Sequence, residues 1–376
     1  MGKQQRIIIS VTNDLITDNR VHKVCLFLVE EGFHVTLVGR RLKNSLEIQG
    51  RNYSIKRFRL FFTQGPLFYL EFAIRLFFYM LVHRSSILIS NDLDTLLPNF
   101  IVSKIKSVTL VYDTHEYFTE VPELVENPRK QKIWETLESW IFPKLKNVYT
   151  VNNSIAQIYQ AKYKVPVHVV RNVAPIFSPE EIKNRTQLGL PLDKFIIILQ
   201  GSGINKKRGA EEAVEAMKSI ENALLLIIGG GDVLAELKDQ VEAHSLTHKV
   251  LFLPKMPYAE MMQYTSNADL GLAIDHTDVL NHKLALPNKF FDYIQAQVPI
   301  LATDITEVRA LIEHHKIGYI MDKRLTSQNL GEKINTIMNC YSADLPQLKQ
   351  NLAKAKQQEN WEVEVKSLKE IYSNLN

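Results

Sequence analysis

Two doubly wound parallel α/β sheets facing across a cleft are the architecture this chain predicts, on three observations. The first is size: 376 residues, 45% of them apolar, are enough for two hydrophobic cores. The second is rhythm: strand-like runs at 7–11, 34–39, 86–90, 108–112, 148–151 and 168–170 alternate with helical stretches. The third is one interruption. Asn172 to Pro179 is turn-rich and reads as a linker, after which strand-like runs resume at 195–200, 223–228, 250–253, 270–274 and 299–302. Each βα series has the length of a Rossmann-type unit, and such sheets bind ligands outside the carboxyl ends of their strands. The expected domains are residues 1–173 and residues 174–357, followed by a C-terminal helix at 358–376.

The first strand opens almost at once, since residues 1–6 run straight into Ile7-Ile8-Ile9 with no secretory leader pattern. Cys25 and Cys340 are too few for a disulfide framework, so a reducing compartment is expected. No G-x-G-x-x-G follows the first strand, which argues against a dehydrogenase. The loop after it carries Asp14, Asp18 and Arg20, either as groups that cap the next helix or as ligand contacts.

Charge is unevenly spread. Residues 1–173 hold 23 Lys and Arg against 15 Asp and Glu, whereas residues 174–376 hold 22 against 26. Seven of the basic residues lie between Arg40 and Arg59 against the single acid Glu47. That cluster fits a solvated loop and edge strand or a site for an anionic surface. The longest apolar run, 67–82, contains Glu71 and Arg75 at i, i+4 spacing and falls short of the roughly 20 residues a membrane span needs. A core helix or a helix lying at a surface is expected there.

The strand at 86–90 leads into Asn91-Asp92-Leu93-Asp94, where Asp92 is a helix cap or an acceptor contact. The strand at 108–112 leads into Asp113-Thr114-His115-Glu116. These polar residues fall where parallel sheets present ligands, and Glu116 fits either a helix cap or a group that orients His115. Zinc is a poor alternative, because no second His or Cys stands at ligand spacing.

In the second series, Gly201-Ser202-Gly203-Ile204-Asn205-Lys206-Lys207-Arg208-Gly209 links a strand to a helix. Glycines allow close backbone approach, and the basic side chains suit a diphosphate. Gly229-Gly230-Gly231-Asp232 makes a further turn after the next strand. Residues 286–302 then read as a loop, a helix and a short strand. Pro287 pre-sets the helix start, with Asn288 as its cap. Phe290, Phe291 and Ile294 fall on the buried face, which should turn Lys289, Asp292 and Tyr293 towards another surface. An ordinary αβ connection accounts for this run as well as a phosphate site at the helix N-terminus does. The tail, with Trp361, Val365, Leu368, Tyr372 and Leu375 on one face, predicts an amphipathic helix.

The order of residue types in 287–299 resembles the P-x-K-x-x-E-Y-x-x-A-x-x-P motif of retaining glycosyltransferases of family 4, which have the two-Rossmann GT-B fold; the resemblance implies that the C-terminal helix at 358–376 returns to complete the domain of residues 1–173. Pro287, Lys289, Asp292, Tyr293, Ala296 and Pro299 stand at the matching positions. Asp292 replaces the second glutamate of the family's pair, and Leu284 stands where the first would be. Arg208-Gly209 lies where the family has Lys-Gly, Gly230 belongs to its G-x-G turn, and 252–257 matches the segment whose backbone holds the base.

The resemblance implies a nucleotide-diphosphate sugar (UDP- or GDP-sugar) as donor and a glycan or lipid-linked glycan as acceptor, in bacterial surface polysaccharide synthesis. It implies no cofactor and no metal, and no nucleic-acid partner is expected. Donor contacts would come from Gly203, Lys207, Arg208, Gly230, Pro287, Asn288, Lys289 and Asp292. Asp292 would hold the ribose and His115 would position the sugar as the catalytic pair. Asp14, Arg20, Asp92 and Glu116 would face the acceptor. The expected location is cytoplasmic or peripheral, at the inner face of an anionic membrane. A binding protein without transfer activity, suggested by Leu284, and an NAD-dependent or epimerase-type enzyme are the rival readings.

Overall fold

The structure, a computed structural model, describes residues 5–16, 18–278, 280–321 and 324–375. The chain divides into two compact units: Met1–Asn172 with Val365–Asn376, and Val173–Glu364.

Unit 1 is a seven-stranded sheet of β1 (Arg6–Ser10), β2 (His34–Arg41), β3 (Ser54–Arg59), β4 (Ile87–Asn91), β5 (Thr109–Thr114), β6 (Asn147–Thr150) and β7 (His168–Val169). All pairs are parallel, in the order β3-β2-β1-β4-β5-β6-β7. The direction of winding reverses between β1 and β4, the switch point where such sheets bind ligands. The helices are α1 (Asn19–Glu30), α2 (Gly65–Val82), α3 (Leu93–Lys106), α4 (Pro122–Val125), α5 (Pro128–Ile141) and α6 (Asn153–Tyr163). Asp18 caps α1 by accepting the Val21 N–H, as its residue type foretells.

The basic segment supplies the edge strand β3, in which Phe58 alone is buried. The apolar run is α2, and its two faces differ. Phe68, Phe72, Leu76 and Met80 pack with Ile8, Val38, Phe58, Leu88 and Val102 in the core, whereas Leu67, Leu70, Ile74, Phe78 and Val82 are exposed. By length and composition alone α2 is long and apolar enough to cross a membrane. Its buried row nevertheless belongs to the core of unit 1.

Unit 2 is a six-stranded parallel sheet of β8 (Phe195–Gly201), β9 (Ala223–Gly229), β10 (Val250–Pro254), β11 (Leu270–Ala273), β12 (Ile300–Ala302) and β13 (Gly318–Ile320), in the order β10-β9-β8-β11-β12-β13. Its winding reverses between β8 and β11. The helices are α7 (Ala210–Ala216), α8 (Leu234–Ala243), α9 (Tyr258–Thr265), α10 (Leu280–Lys283), α11 (Asn288–Ala296), α12 (Thr306–His315), α13 (Ser327–Gln358) and α14 (Trp361–Ser373). The strands are near-continuous apolar runs such as Ile196-Ile197-Ile198-Leu199, as a sheet covered on both faces requires.

Helix α14 begins in unit 2, where the Trp361 N–H donates to Ala174 O at 2.9 Å, and ends in unit 1. There the buried Tyr372 ring meets Phe27 and Phe33 edge-on. The return falls at Val365 and not at 358, because α13 runs unbroken to Gln358.

Candidate active site

Unit 1 gathers its polar side chains at the carboxyl ends of β4 and β5. Asp113, wholly buried, receives Arg20 Nε and Nη2 at 3.2 and 2.8 Å, while Arg20 Nη1 donates to Val170 O. A buried, bidentate pair of this kind holds both groups rigid. His115 sits over it. Its Nε2 lies 3.1 Å from Asp113 Oδ2 and 3.2 Å from Asn91 Oδ1, and its Nδ1 lies 3.3 Å from Asp92 Oδ2. The His115 backbone N–H also donates to Asp92 Oδ1 at 2.8 Å. Asp92 stands at the start of α3 with φ +58°, an uncommon conformation for a non-glycine, and makes no capping bond.

The electrostatics follow from this geometry. Burial alone would depress the His115 pKa, but Asp92 and Asp113 outweigh it and raise it to about 9. Burial raises the Asp92 carboxyl to about 6 against the pull of His115. For Asp113, burial is overcome by Arg20 and His115, which hold its carboxyl below the ordinary value. His115 is therefore an imidazolium at neutral pH, a hydrogen-bond donor at both nitrogens and no general base.

The groups that fix the His115 ring are Asp92, Asp113 and Asn91. Asp14 accepts the Ile16 N–H within its own loop and the Ser45 hydroxyl from the segment after β2. Glu116 is half-buried, and its backbone carbonyl accepts the Thr114 hydroxyl. The structure thus brings Arg20 and Asp92 to His115.

In unit 2 the loop from β8 into α7 is held by glycines at fixed points. A Cβ on Gly209, at φ +80°, would lie 2.0 Å from Ile274 O, and one on Gly229, at φ +138°, 1.8 Å from Gly201 O. Gly203 and Gly230 have space for a side chain, and the Gly230 N–H already donates to Gly201 O. The close approach is thus carried by Gly209, Gly229 and Gly231, where a Cβ would lie 1.9 Å from Ile204 O.

Lys207 is exposed at φ +64° beside them. Arg208 Nη1 reaches Asp275 Oδ2 at 3.2 Å; the Asp275 side chain is 1% exposed, and its Oδ1 has no hydrogen-bond partner among the described residues. Lys289 is half-buried in the same neighbourhood. Burial lowers its pKa, and Asp275 partly offsets that. His282 is also near: burial, and then Arg208, lower its pKa, and its buried Nδ1 lacks a partner among the described residues.

Helix α11 carries the 287–299 run. Pro287 occupies the capping position itself and Asn288 is the first helical residue, with no side-chain cap bond. Tyr293 does not face another surface. It is wholly buried, its hydroxyl donating to Ile198 O at 3.2 Å and Leu272 O at 3.1 Å, and Gly271 leaves the space its ring fills. Asp292 is half-buried, accepting Gln200 Nε2 and the Tyr258 hydroxyl, each at 3.1 Å. Gln200 is itself fixed by the Thr265 hydroxyl at 2.6 Å.

Comparison with known proteins places the family and the fold. The family model described as Glycosyl transferases group 1 matches residues 180–359, and that described as Glycosyltransferase Family 4 matches residues 18–174. The chain belongs to this glycosyltransferase family. A curated relative, the amylovoran biosynthesis glycosyltransferase AmsK of Erwinia amylovora, is 24% identical over 157 residues, which span 38% of this chain and 39% of the relative. Among solved structures, sucrose-phosphate synthase from Thermosynechococcus elongatus matches with TM-score 0.76 at 16% identity, covering 99% of both chains. Anabaena HepE, solved with UDP-glucose, matches at 0.71 and 17% identity over 99% of both. WaaG, a glycosyltransferase involved in lipopolysaccharide biosynthesis, matches at 0.71 and 14% identity over 97% and 98%. The fold is GT-B. Against the glycosyltransferase motif, Leu284 is buried where a glutamate is usual, and the shorter Asp292 is tied back by Gln200 and Tyr258.

The residues that sequence reasoning missed are Asp275, His282, Gln200, Tyr258 and Asn91. Asp275 was within reach, since it follows the strand-like run 270–274 just as the Asp113–Glu116 run follows 108–112.

Proposed function

We propose that this protein is a retaining glycosyltransferase that moves a sugar from a UDP- or GDP-sugar to a glycan or lipid-linked glycan acceptor, without a metal. The supporting observation is the cationic cluster of Lys207, Arg208 and Lys289 around the nearly buried Asp275 at the carboxyl ends of β8 and β11. A diphosphate would exchange places with the weak Arg208–Asp275 contact and draw on all three cations, which neutralise the charge of the departing nucleotide. Asp292, held in place by Gln200 and Tyr258, accepts a hydrogen bond from a ribose hydroxyl.

In the reaction, the acceptor oxygen bonds to the anomeric carbon on the face from which the diphosphate leaves. The carbon–phosphate-oxygen bond breaks, and the departing oxygen takes the acceptor proton. His115 donates from Nδ1 to a sugar hydroxyl, giving up its longer and partly exposed contact with Asp92 while Nε2 stays on Asp113. The AmsK and WaaG likenesses support a role in surface polysaccharide synthesis, and the HepE likeness supports a UDP-sugar.

Incubation with labelled UDP-, GDP- and ADP-sugars and candidate acceptors, with and without EDTA, tests this. Transfer with the donor's anomeric configuration kept is expected, by NMR of the product. An inverted product, or loss of transfer in EDTA, would overturn it. The buried Leu284 favours one second reading, a protein that binds nucleotide sugar without transferring it. Tight binding with neither transfer nor hydrolysis would select that reading.

A further inference from the structure

We infer that the outward face of unit 1 formed by α2, α3 and α5 is a docking surface for an anionic lipid bilayer. Leu67, Leu70, Ile74, Phe78 and Val82 stand three or four residues apart on α2, all exposed, opposite the row that enters the core. At 1.5 Å per residue they form a stripe about 22 Å long. Single exposed apolar side chains are ordinary on a protein surface, but a continuous row along one helix is not.

The neighbouring helices extend the stripe. Helix α3 exposes Ile101 and Ile105, and α5 exposes Trp140, whose ring meets Phe100 of α3 edge-on at 5.9 Å. The Lys144 ammonium lies 4.6 Å from the Trp140 ring centroid, and Lys104 lies 5.3 Å from that of Phe100. Apolar bodies flanked by lysines with long flexible stems suit the boundary between acyl chains and headgroups.

Glu71 strengthens the inference. It lies at the edge of the stripe, yet its carboxylate accepts the Phe61 N–H at 2.9 Å, the Phe62 N–H at 3.0 Å and Arg75 Nε at 2.9 Å. The one acidic charge of α2 is thereby compensated, and the same bonds pin the Phe61–Phe62 loop beside the stripe. Phe61 is 86% exposed, under the Arg75 guanidinium. Arg40 fixes the far side of this loop by donating to Thr63 O at 3.1 Å. An aromatic pair anchored at both sides is a preorganised wedge, so little ordering is needed on insertion.

Charge complementarity selects the occupant. Residues 1–173 carry 23 Lys and Arg against 15 Asp and Glu, and exposed Lys56, Arg59, Arg84 and Lys104 are among them. Two copies of so positive a unit repel each other, whereas anionic headgroups attract it. This inference does not rest on the donor site, and its test needs no activity.

Flotation of the full-length protein with phosphatidylglycerol-containing vesicles and with phosphatidylcholine vesicles provides that test. Binding to the anionic vesicles, weakened by about 0.5 M salt, is expected. The Leu70→Ser/Phe78→Ser variant should partition at least about tenfold less, and Phe61→Ser/Phe62→Ser should also lose binding, with thermal melts unchanged because all four side chains are exposed. Absence of anionic-vesicle binding at low salt, or equal partitioning of wild type and both variants, would overturn the inference. So would a dimer that Phe78→Ser converts to monomer without any vesicle binding.

Discussion

Raising the pH should cost unit 1 stability through His115. The imidazole is held near pKa 9 in the folded protein against an ordinary value of 6.5. A gap of roughly two and a half units, at 1.36 kcal/mol each, is worth about 3 kcal/mol. Because the folded value is the higher one, this stabilisation is complete below about pH 6.5 and is lost as the pH rises through 9. Asp92 and Asp94, whose carboxyls burial raises to about 6, lose their own share of stability as the pH rises to about 7, so the loss between pH 7 and 9.5 belongs to the histidine.

The comparison is between wild type and His115→Gln, which keeps a donor to Asp113 but cannot titrate. For a unit of this size about 3 kcal/mol corresponds to a shift of roughly 6–12 °C in the unfolding midpoint. Calorimetry across this pH range should show the wild type losing that much more than the variant in the transition of unit 1. NMR of the histidine side chains should place one imidazole far above the others. Parallel pH profiles, or a His115 resonance titrating near 6.5, would refute the reading of a doubly held imidazolium.

Three further outcomes are expected. Arg208→Ala should weaken nucleoside diphosphate binding by about 1.5–3 kcal/mol and leave unphosphorylated nucleoside unaffected, by calorimetry; equal losses for both would remove Arg208 from the phosphate site. Asp292→Asn should raise donor KM more than it lowers kcat, whereas His115→Gln should act mainly on kcat; the opposite split would exchange their roles. Gly209→Ala must move Ile274 or the loop and should cost about 2 kcal/mol or more by thermal melt, while Gly230→Ala, with open space around it, should fold normally.

The strand-like runs that sequence reasoning located are strands in the structure, because buried parallel strands are written as unbroken apolar runs. The exceptions obey the same physics. β3 reads Ser-Ile-Lys-Arg-Phe-Arg, since an edge strand needs to bury little, and β13 is only three residues long. Helix α11 was legible in its Phe290, Phe291 and Ile294 spacing, but Tyr293 was not. Its burial depends on the absent side chain of Gly271, on a strand twenty-two residues earlier, and no local pattern encodes that. The charged cluster at His115 was visible as residue types at a strand end. Which carboxylates hold the ring depends on β4 and β5 lying side by side, with Asn91 in register with Asp113.

The discontinuity of unit 1 has a consequence for how the protein is made. Leu368, Ile371 and Tyr372 are buried, and Lys369 pairs with Glu31 at 2.9 Å. A nascent chain therefore emerges with α1 lacking its cover, and Phe27 and Phe33 wait until Leu368–Tyr372 have been made. Unit 2, contiguous in sequence, has its last residue, Glu364, before the returning segment Val365–Asn376 of unit 1 is made. Domains usually mature in the order of synthesis; here the one begun first is finished last. Until then its exposed aromatic surface is a place for chaperones to hold, and loss of residues 365–375 would strike α1, more than three hundred residues earlier.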